Sequence, residues 1–415
     1  MNGHYNEIKD ILENPDSKEN VQLRADYLDK LLKHAVESTP YYFGCKSFKS
    51  INDFPIINKS IIIGNYDAFT CGDRNFKEGR MVVTSGSTGT PFTVKHGKRK
   101  TQRNTADTIY FGELAGFTIG QRLYYFKIWN KINKKNKFAQ FMQNIVPYDV
   151  SELDDKSLSL IIDRLEKDRS NKCLLAYSSV YDALSAYMQK HNLEIMKNVV
   201  SIISMSEALD CSTRQCISHF FNVRAVSRYS NMENGIIAQQ LRDGSDEFLI
   251  NDASYFIELL DMNYDKPAPP GSPGRIVITD LFNYCMPLIR YDTGDIGVLS
   301  QKEIDGCIRM VFKSIEGRRM DMIYNTSGSL VSSYIVTNNM WKYSEIRQYQ
   351  FIQDSANQYV FKLNTDVPFL RENELSEEFK KYLGEDAQIS IDYVNEIPIL
   401  ASGKRRKVVN NFNQS

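Results

Sequence analysis

Between residues 123 and 229 the chain keeps returning to one pattern, a short apolar run of strand length followed by a stretch with helical spacing. "LYYFKIW" (123–129), "KCLLAYSS" (172–179), "NVVSIIS" (198–204) and "VRAVSRY" (223–229) are rich in β-branched and aromatic residues, and "YDALSAYMQKH" lies between two of them. A strand apolar on both faces must be covered on both, and alternation with helices supplies the cover. The pattern predicts an α/β fold: a large N-terminal domain of mostly parallel sheets layered with helices.

Upstream, Leu28, Leu31, Leu32, Ala35 and Val36 fall at i, i+3, i+4, i+7 and i+8, and Pro40 stops the run, which predicts an amphipathic helix with an apolar core face. "NYDKPAPPGSPG" (263–274) reads as a rigid turn, because the strand-like "RIVITDL" follows at once. The domain boundary is expected near "SIEGRRMD" (314–321), dividing the 415 residues into 1–316 and 317–415. The strand-like "IRQYQFIQ" and "QYVFKLN" with the helical "SEEFKKYL" predict a small, mobile α+β domain after it.

Lys plus Arg total 51 and Asp plus Glu total 51, so no net field draws the chain to nucleic acid or an anionic membrane. The basic run "KINKKNK" (131–137) reads as a solvated loop. No run of about 18 apolar residues occurs, and "MNGHYNEIKD" lacks the order of a secretory signal, so a cytoplasmic protein without a membrane span is expected. Seven scattered cysteines fit reduced thiols, and Cys211, Cys216 and His219 in "CSTRQCISHF" read as helix residues rather than metal ligands, with no obvious fourth ligand nearby.

The chemistry-bearing segments begin with "MVVTSGSTGTP" (81–91). Thr84, Ser85, Gly86, Ser87, Thr88, Gly89 and Thr90 form an unbroken Thr/Ser/Gly run after a strand-like start. Backbone N–H groups and hydroxyls in such a loop can converge on phosphate oxygens, as ATP requires. The P-loop motif fails because Thr90 and Pro91, not Lys, follow Gly89. The reading places this loop at the C-terminal edge of the sheet, where open α/β folds bind ligands; a hairpin loop is the plain alternative.

"RYSNMENG" (228–235) follows an apolar strand, so Glu233 could hold Mg²⁺ through its carboxylate while Tyr229 offers a flat face to a base. In "MPLIRYDTGDIG" (286–297) Asp292 and Asp295 flank a Thr-Gly pair, and a carboxylate held in a tight turn can accept both ribose hydroxyls. An Asx turn with Gly294 left-handed is as good an account of that segment. "EGRRMD" (316–321) and "LASGKRRK" (400–407) add basic groups, and a lysine delivered from the latter could stabilise charge developing on a phosphate.

Together these segments resemble, in order and spacing, the adenylate-forming superfamily of acyl-CoA synthetases, adenylation domains and luciferases, and most nearly phenylacetate–CoA ligase-like proteins. The resemblance runs from "STPYY" (38–42) and "FPIINKS" (54–60) to "SGKRR" (402–406), and "SGSTGTP" and "PLIRYDTGD" are its specific parts. The short length resembles a subgroup of capsular and other cell-surface polysaccharide synthesis. The resemblance implies that a carboxylic acid attacks the α-phosphate of Mg·ATP to give an acyl-adenylate, after which a thiol or amine takes the acyl group and AMP leaves. Coenzyme A is the implied acceptor, with an amine, giving an amide, as the alternative; a non-catalytic nucleotide-binding protein is the reading from another class. A homodimer would be unsurprising in this family.

Carried over residue by residue, the resemblance assigns Thr84 to Thr90 to the triphosphate, Ser206, Glu207 and Ala208 to the adenine, and Tyr229 to stacking on the base, with Ser230, Asn231 and Met232 beside it. It assigns Glu233 to Mg²⁺, Asp295 and Arg318 to the ribose, and Lys404 to the reacting carboxylate and α-phosphate. Three departures stand out. Phe92 holds the place where a Lys usually follows the loop's Pro, the next lysine being Lys95; Met320 stands at the pivot of the C-terminal domain, whose rotation needs backbone freedom more than charge; and the Cys and His of zinc-bearing relatives are missing after Glu233, so no zinc is expected. Acid-pocket walls are expected around Tyr124 to Trp129, Tyr177 to Ser179 and Ser204 to Ser206.

Overall fold

The structure, a computed structural model, describes residues 2–73, 78–84, 92–127, 129, 137–150, 153–206, 208–318, 323–331, 334–340, 342–343, 345–398 and 406–412. The predicted amphipathic helix is Lys18–Ser38, capped by the Ser17 side chain and burying Leu31, Leu32, Ala35 and Val36. Two strands follow, β1 (Arg80–Thr84) and β2 (Phe92–His96), paired antiparallel from Arg80↔His96 to Thr84↔Phe92 as a sheet of their own. The Thr/Ser/Gly run is therefore flanked by the two arms of a hairpin and does not leave the edge of the large sheet. Apolar periodicity showed a strand at Met81–Val83, but could not show that its partner lies only a few residues on.

The large sheet has eleven strands. Its first half is β3 (Arg122–Lys127), β4 (Ile145–Asp149), β5 (Lys172–Tyr177), β6 (Val199–Met205) and β7 (Ala225–Asn231), ordered β7-β6-β5-β3-β4 with every neighbouring pair parallel. All six residues of β5 are buried, as a strand covered on both faces demands. The helix Asp155–Lys167, capped by Asp154, turns Leu158, Ile161, Ile162 and Leu165 onto this sheet. Each buried side chain of that kind contributes roughly 1.5–3 kcal/mol over an exposed one. Helices Ser178–Lys190 and Cys211–Phe221 complete the same core, the latter carrying Cys211 on its surface.

From β7 onward the pairing changes. β8 (Gly235–Gln240), β9 (Phe248–Ile250), β10 (Tyr255–Leu260), β11 (Pro273–Asp280), β12 (Tyr291–Ile304) and β13 (Cys307–Arg318) extend the sheet in the order β10-β11-β12-β13-β9-β8-β7, antiparallel throughout. The parallel expectation thus describes one half of a mixed sheet. The reason is connection length: parallel neighbours need a long crossover, whereas β12 and β13 are joined by Asp305 and Gly306 alone, with φ of 51° and 79°, the left-handed pair a two-residue hairpin requires.

A separate set of elements follows. β14 (Ile323–Tyr324) and β15 (Leu330–Val331) pair with each other, while β16 (Ile346–Gln353), β17 (Gln358–Thr365), β18 (Gln388–Tyr393) and β19 (Val408–Asn410) form a sheet ordered β18-β17-β16-β19. The helix Glu372–Leu383 packs Leu375, Phe379 and Leu383 on it, giving these residues a hydrophobic core of their own. Among the described residues no helix is long and apolar enough to cross a membrane.

Candidate active site

The junction between the two halves of the large sheet gathers the predicted residues. β12 opens with Asp292, Thr293, Gly294 and Asp295: Asp292 Oδ1 accepts from the Gly294 amide at 2.9 Å, the Thr293 hydroxyl accepts from the Asp295 amide at 3.1 Å, and Gly294 has φ of 79°. This is the Asx turn expected for the segment, built on Asp292 and leaving the Asp295 carboxylate outside it. Asp292 spends its other oxygen on Arg275 at 2.9 Å. A register shift at Asp295/Ile296 then sets Asp295 directly opposite Arg318 at the end of β13. Across the sheet, the Tyr229 hydroxyl on β7 donates to Asp295 Oδ2 at 2.7 Å. Burial and the Asp295 charge push that phenol well above its usual range, so it remains a donor.

Asn231 Oδ1 accepts from the Asn234 amide at 2.8 Å, closing the turn between β7 and β8 that presents Glu233. Glu233 is only 2% exposed, and its Oε1 receives the Tyr291 hydroxyl at 2.8 Å and the Lys59 ammonium at 3.3 Å. Its carbonyl accepts from His96 Nε2 at 2.7 Å; burial, and then Lys100, lowers that imidazole, which suits a neutral donor. Met232, 51% exposed, faces out beside it, while Ser230 is half-buried on β7.

Lys59 is the residue that sequence reasoning passed over. It opens the helix Lys59–Gly64 behind the cap Asn58, after an extended stretch docked against β12: the Ile57 amide donates to Arg290 O at 3.0 Å and the Asp292 amide to Ile57 O at 2.8 Å. Arg290 secures that docking with bonds to Glu258 at 2.9 and 3.1 Å and to the Phe54 carbonyl at 3.2 Å. The Lys59 ammonium lies 5.5 Å from the centre of the Phe92 ring, so the aromatic in place of the usual loop lysine forms the floor under a lysine from elsewhere. Lys95, by contrast, lies over Tyr66. The only signal for Lys59 was its place in "FPIINKS", which carries no chemistry until the chain folds.

Ser206 follows β6 with φ of 72°, a left-handed conformation that costs a serine roughly 1–2 kcal/mol. It and Ala208 are exposed at the C-terminal edge of the parallel strands, next to β7. Ser85 to Thr90, Glu207, Met320 and Lys404 lie outside the described residues, as do the side chains of Thr84 and Arg318. Tyr124, expected in a pocket wall, is 1% exposed and gives its hydroxyl to Asp168 at 2.7 Å. Alternation along β3 sends it and Phe126 into the core and leaves Tyr125 and Lys127 on the other face.

Residues close to Lys404 in the chain also reach this half of the molecule. β19 pairs with β16, and from its margin Lys407 Nζ approaches Asp182 at 3.2 Å and Asp210 at 3.9 Å, both beside the parallel sheet. Burial, reinforced by Asp210 and opposed by Lys407, pushes the Asp182 carboxyl up to about 6. Asp210, despite its own burial, is held below its usual range by Lys407 and by its cap bonds to Thr213 and Ser212.

Residues 323–411 match the family described as the CapK C-terminal domain. Protein CapK of Staphylococcus aureus is 24% identical over 386 residues, spanning 88% of this chain and 81% of its own. Among solved structures, 2-hydroxyisobutyryl-CoA ligase in the postadenylation state with R3-HIB-AMP superposes with a TM-score of 0.76 at 14% identity, over 96% of this chain and 91% of its own. The same ligase in the thioesterification state, with 2-HIB-AMP and CoA, scores 0.61 at 16% identity over 97% and 92%. The amide bond synthetase McbA from Marinactinospora thermotolerans scores 0.54 at 15% identity over 79% and 67%. Over nearly its whole length this chain therefore has the fold of the adenylate-forming ligases, and its residues 323–411 match the CapK C-terminal domain family.

Proposed function

We propose that the chain is an ATP-dependent, AMP-forming carboxylate ligase that joins an acid to AMP with release of pyrophosphate, then transfers the acyl group to coenzyme A with release of AMP. The observation that carries this reading is the pairing of two carboxylates by two tyrosines across the large sheet: Tyr229 on β7 with Asp295 on β12, and Tyr291 on β12 with Glu233 in the turn after β7. A nucleotide laid across that junction meets Asp295 at its ribose, with Arg318 opposite, and Glu233 at its phosphates. The edge residues Ser206, Glu207 and Ala208 would adjoin the adenine and the Tyr229 ring the base. Thr84 to Thr90 would surround the triphosphate through backbone N–H groups.

Mg²⁺ fits the donor set, since it takes one or two carboxylates together with phosphate oxygens, and Glu233 is a buried carboxylate that already attracts a cation, Lys59. When bound it would neutralise charge on the phosphates. Lys59 would turn from Glu233 to those phosphates, and Lys404 would meet the charge that builds as the acid's carboxylate oxygen bonds to the α-phosphorus and pyrophosphate departs. Residues 317–415 would act as the lid that brings Lys404 in for this step, with the Lys407 contact holding it there.

Carboxylate-dependent ATP–pyrophosphate exchange over aromatic, aliphatic, amino and uronic acids tests the reading. Exchange with one class is expected, and Lys404→Ala should reduce it roughly 10²- to 10³-fold; exchange at the wild-type rate in that variant would refute the assignment. An amine acceptor, in cell-surface polysaccharide assembly, is the second reading, favoured by the likeness to an amide bond synthetase. Following AMP release from preformed adenylate with coenzyme A or with amines separates the two.

A further inference from the structure

Successive side chains of β7 point to opposite faces, so Arg228 lies on the face away from the bond between Tyr229 and Asp295. Arg228 is 9% exposed. Its Nε donates to Gln239 Oε1 at 2.8 Å, and Gln239 is itself anchored by its Nε2 to the Phe111 carbonyl at 2.7 Å. That tether aims the rest of the guanidinium, yet Nη2 has no acceptor, and no described carboxylate comes within ion-pair distance of it. Burial pulls Arg228 down to about 10. A buried cation with only a neutral amide for company is costly, and the cost is offset when a bound anion supplies the missing charge.

The strand register shows what shares this face. Tyr177 pairs with Met205 and Met205 with Arg228, while Tyr125 pairs with Leu175, two residues before Tyr177. Side chains two apart on a strand share a face, so Tyr125 and Lys127 belong to the same row. The Trp129 ring sits edge-on to Tyr125 at 5.1 Å, and the Lys127 ammonium lies 5.9 Å from the Trp129 ring. Burial, then Arg80, lowers Lys127. Asp149, the β4 partner of Lys127, accepts from the Trp129 amide at 3.4 Å. Two cations thus line one face at the C-terminal end of the parallel strands, separated by aromatic rings and without an ion pair to any acid among the described residues.

We propose that this face is the far wall of the acid pocket, and that the acid activated here carries a second anionic group held by Arg228 and Lys127 while its first carboxylate reaches the α-phosphate. This rests on the ligase reading. A second carboxylate or a phosphate ester would serve, because both offer paired oxygens to a guanidinium fork. An acid with a single charge would leave the buried arginine unmatched.

The test is ATP–pyrophosphate exchange with matched acids: dicarboxylates against their half-amides, and phosphorylated hydroxy acids against the unphosphorylated parents. The doubly charged member of one set should have the higher kcat/KM by roughly 10- to 100-fold, chiefly through KM. Which set responds tells carboxylate from phosphate. Arg228→Gln should erase at least tenfold of that preference, and Lys127→Met, the fallback if the first variant fails to fold, should erase part of it. A wild-type preference for the half-amide or the parent acid, or equal losses on both members in the variants, would overturn the inference while exchange itself upheld the ligase. No exchange with any acid would overturn both.

Discussion

The two turns that hold Asp295 and Glu233 and the contact made by Lys407 reach the same half of the molecule by opposite means. At the first, short bonds link β12 to β7 and the turn after it, Tyr229 to Asp295 at 2.7 Å and Tyr291 to Glu233 at 2.8 Å, while the Asx turn within β12 closes at 2.9 Å. At the second, a long lysine from the margin of β19 meets two carboxylates at 3.2 and 3.9 Å, with its side chain and that of Asp182 each still 30% exposed. Side chains anchored on paired strands of one sheet stay near one another through the backbone ladder, whereas a partly solvated ion pair costs little to break. Under the proposed reading, a nucleotide held through two steps and a second domain that moves between them would need one site of each kind.

Breaking the rigid site should have the larger effect. Asp295→Ala removes the partner of Tyr229 and the proposed ribose acceptor, and exchange should fall by about 10², through hydrogen bonds to a charged group worth about 1.5–3 kcal/mol together with lost positioning. Stopped exchange assays on the folded variant check this, and a fall below threefold would show that Asp295 is not at the nucleotide.

Breaking the releasable contact should divide the two steps. Lys407→Met should slow acyl-adenylate formation about tenfold, while AMP release from preformed adenylate with the acceptor falls by less than twofold. Equal losses in both steps would make Lys407 a structural residue and dissolve the contrast.

The smallest effect is a pH limb. The ionised Asp182 is what attracts Lys407, so docking is favoured above about pH 6 and weakens as pH falls through it. Asp210 keeps its charge there and Tyr349, pushed up by burial to about 12, stays neutral, so adenylation should drop only a few-fold. The stability sign is the reverse: the folded value lies above the ordinary 3.8, so the contribution of Asp182 to stability is complete at low pH and lost as pH rises toward 6. Adenylation should therefore fall on acidification from pH 7 to 5.5 without any loss in thermal midpoint attributable to this group, and Asp182→Asn should remove that limb. A limb that persists in Asp182→Asn would assign it to another group.

What was legible in the residues alone was local. The apolar runs became β3, β5, β6 and β7, the heptad-like spacing before Pro40 became the helix Lys18–Ser38, and the Asp-Thr-Gly-Asp segment became the turn its composition demands, because periodicity and turn chemistry act over a few residues. Glu233, Tyr229 and Asp295 were legible because they stand inside such segments. What only the tertiary structure decided was which segments meet. That β1 folds back on β2, that the sheet turns antiparallel after β7, that Lys59 reaches Glu233 from 174 positions away, that Arg228 is buried against Gln239, and that Lys407 finds Asp182 are all pairings that no local window contains. Side-chain spacing says which face is apolar. The partner of that face is chosen by the free energy of the whole assembled core, which no local window contains.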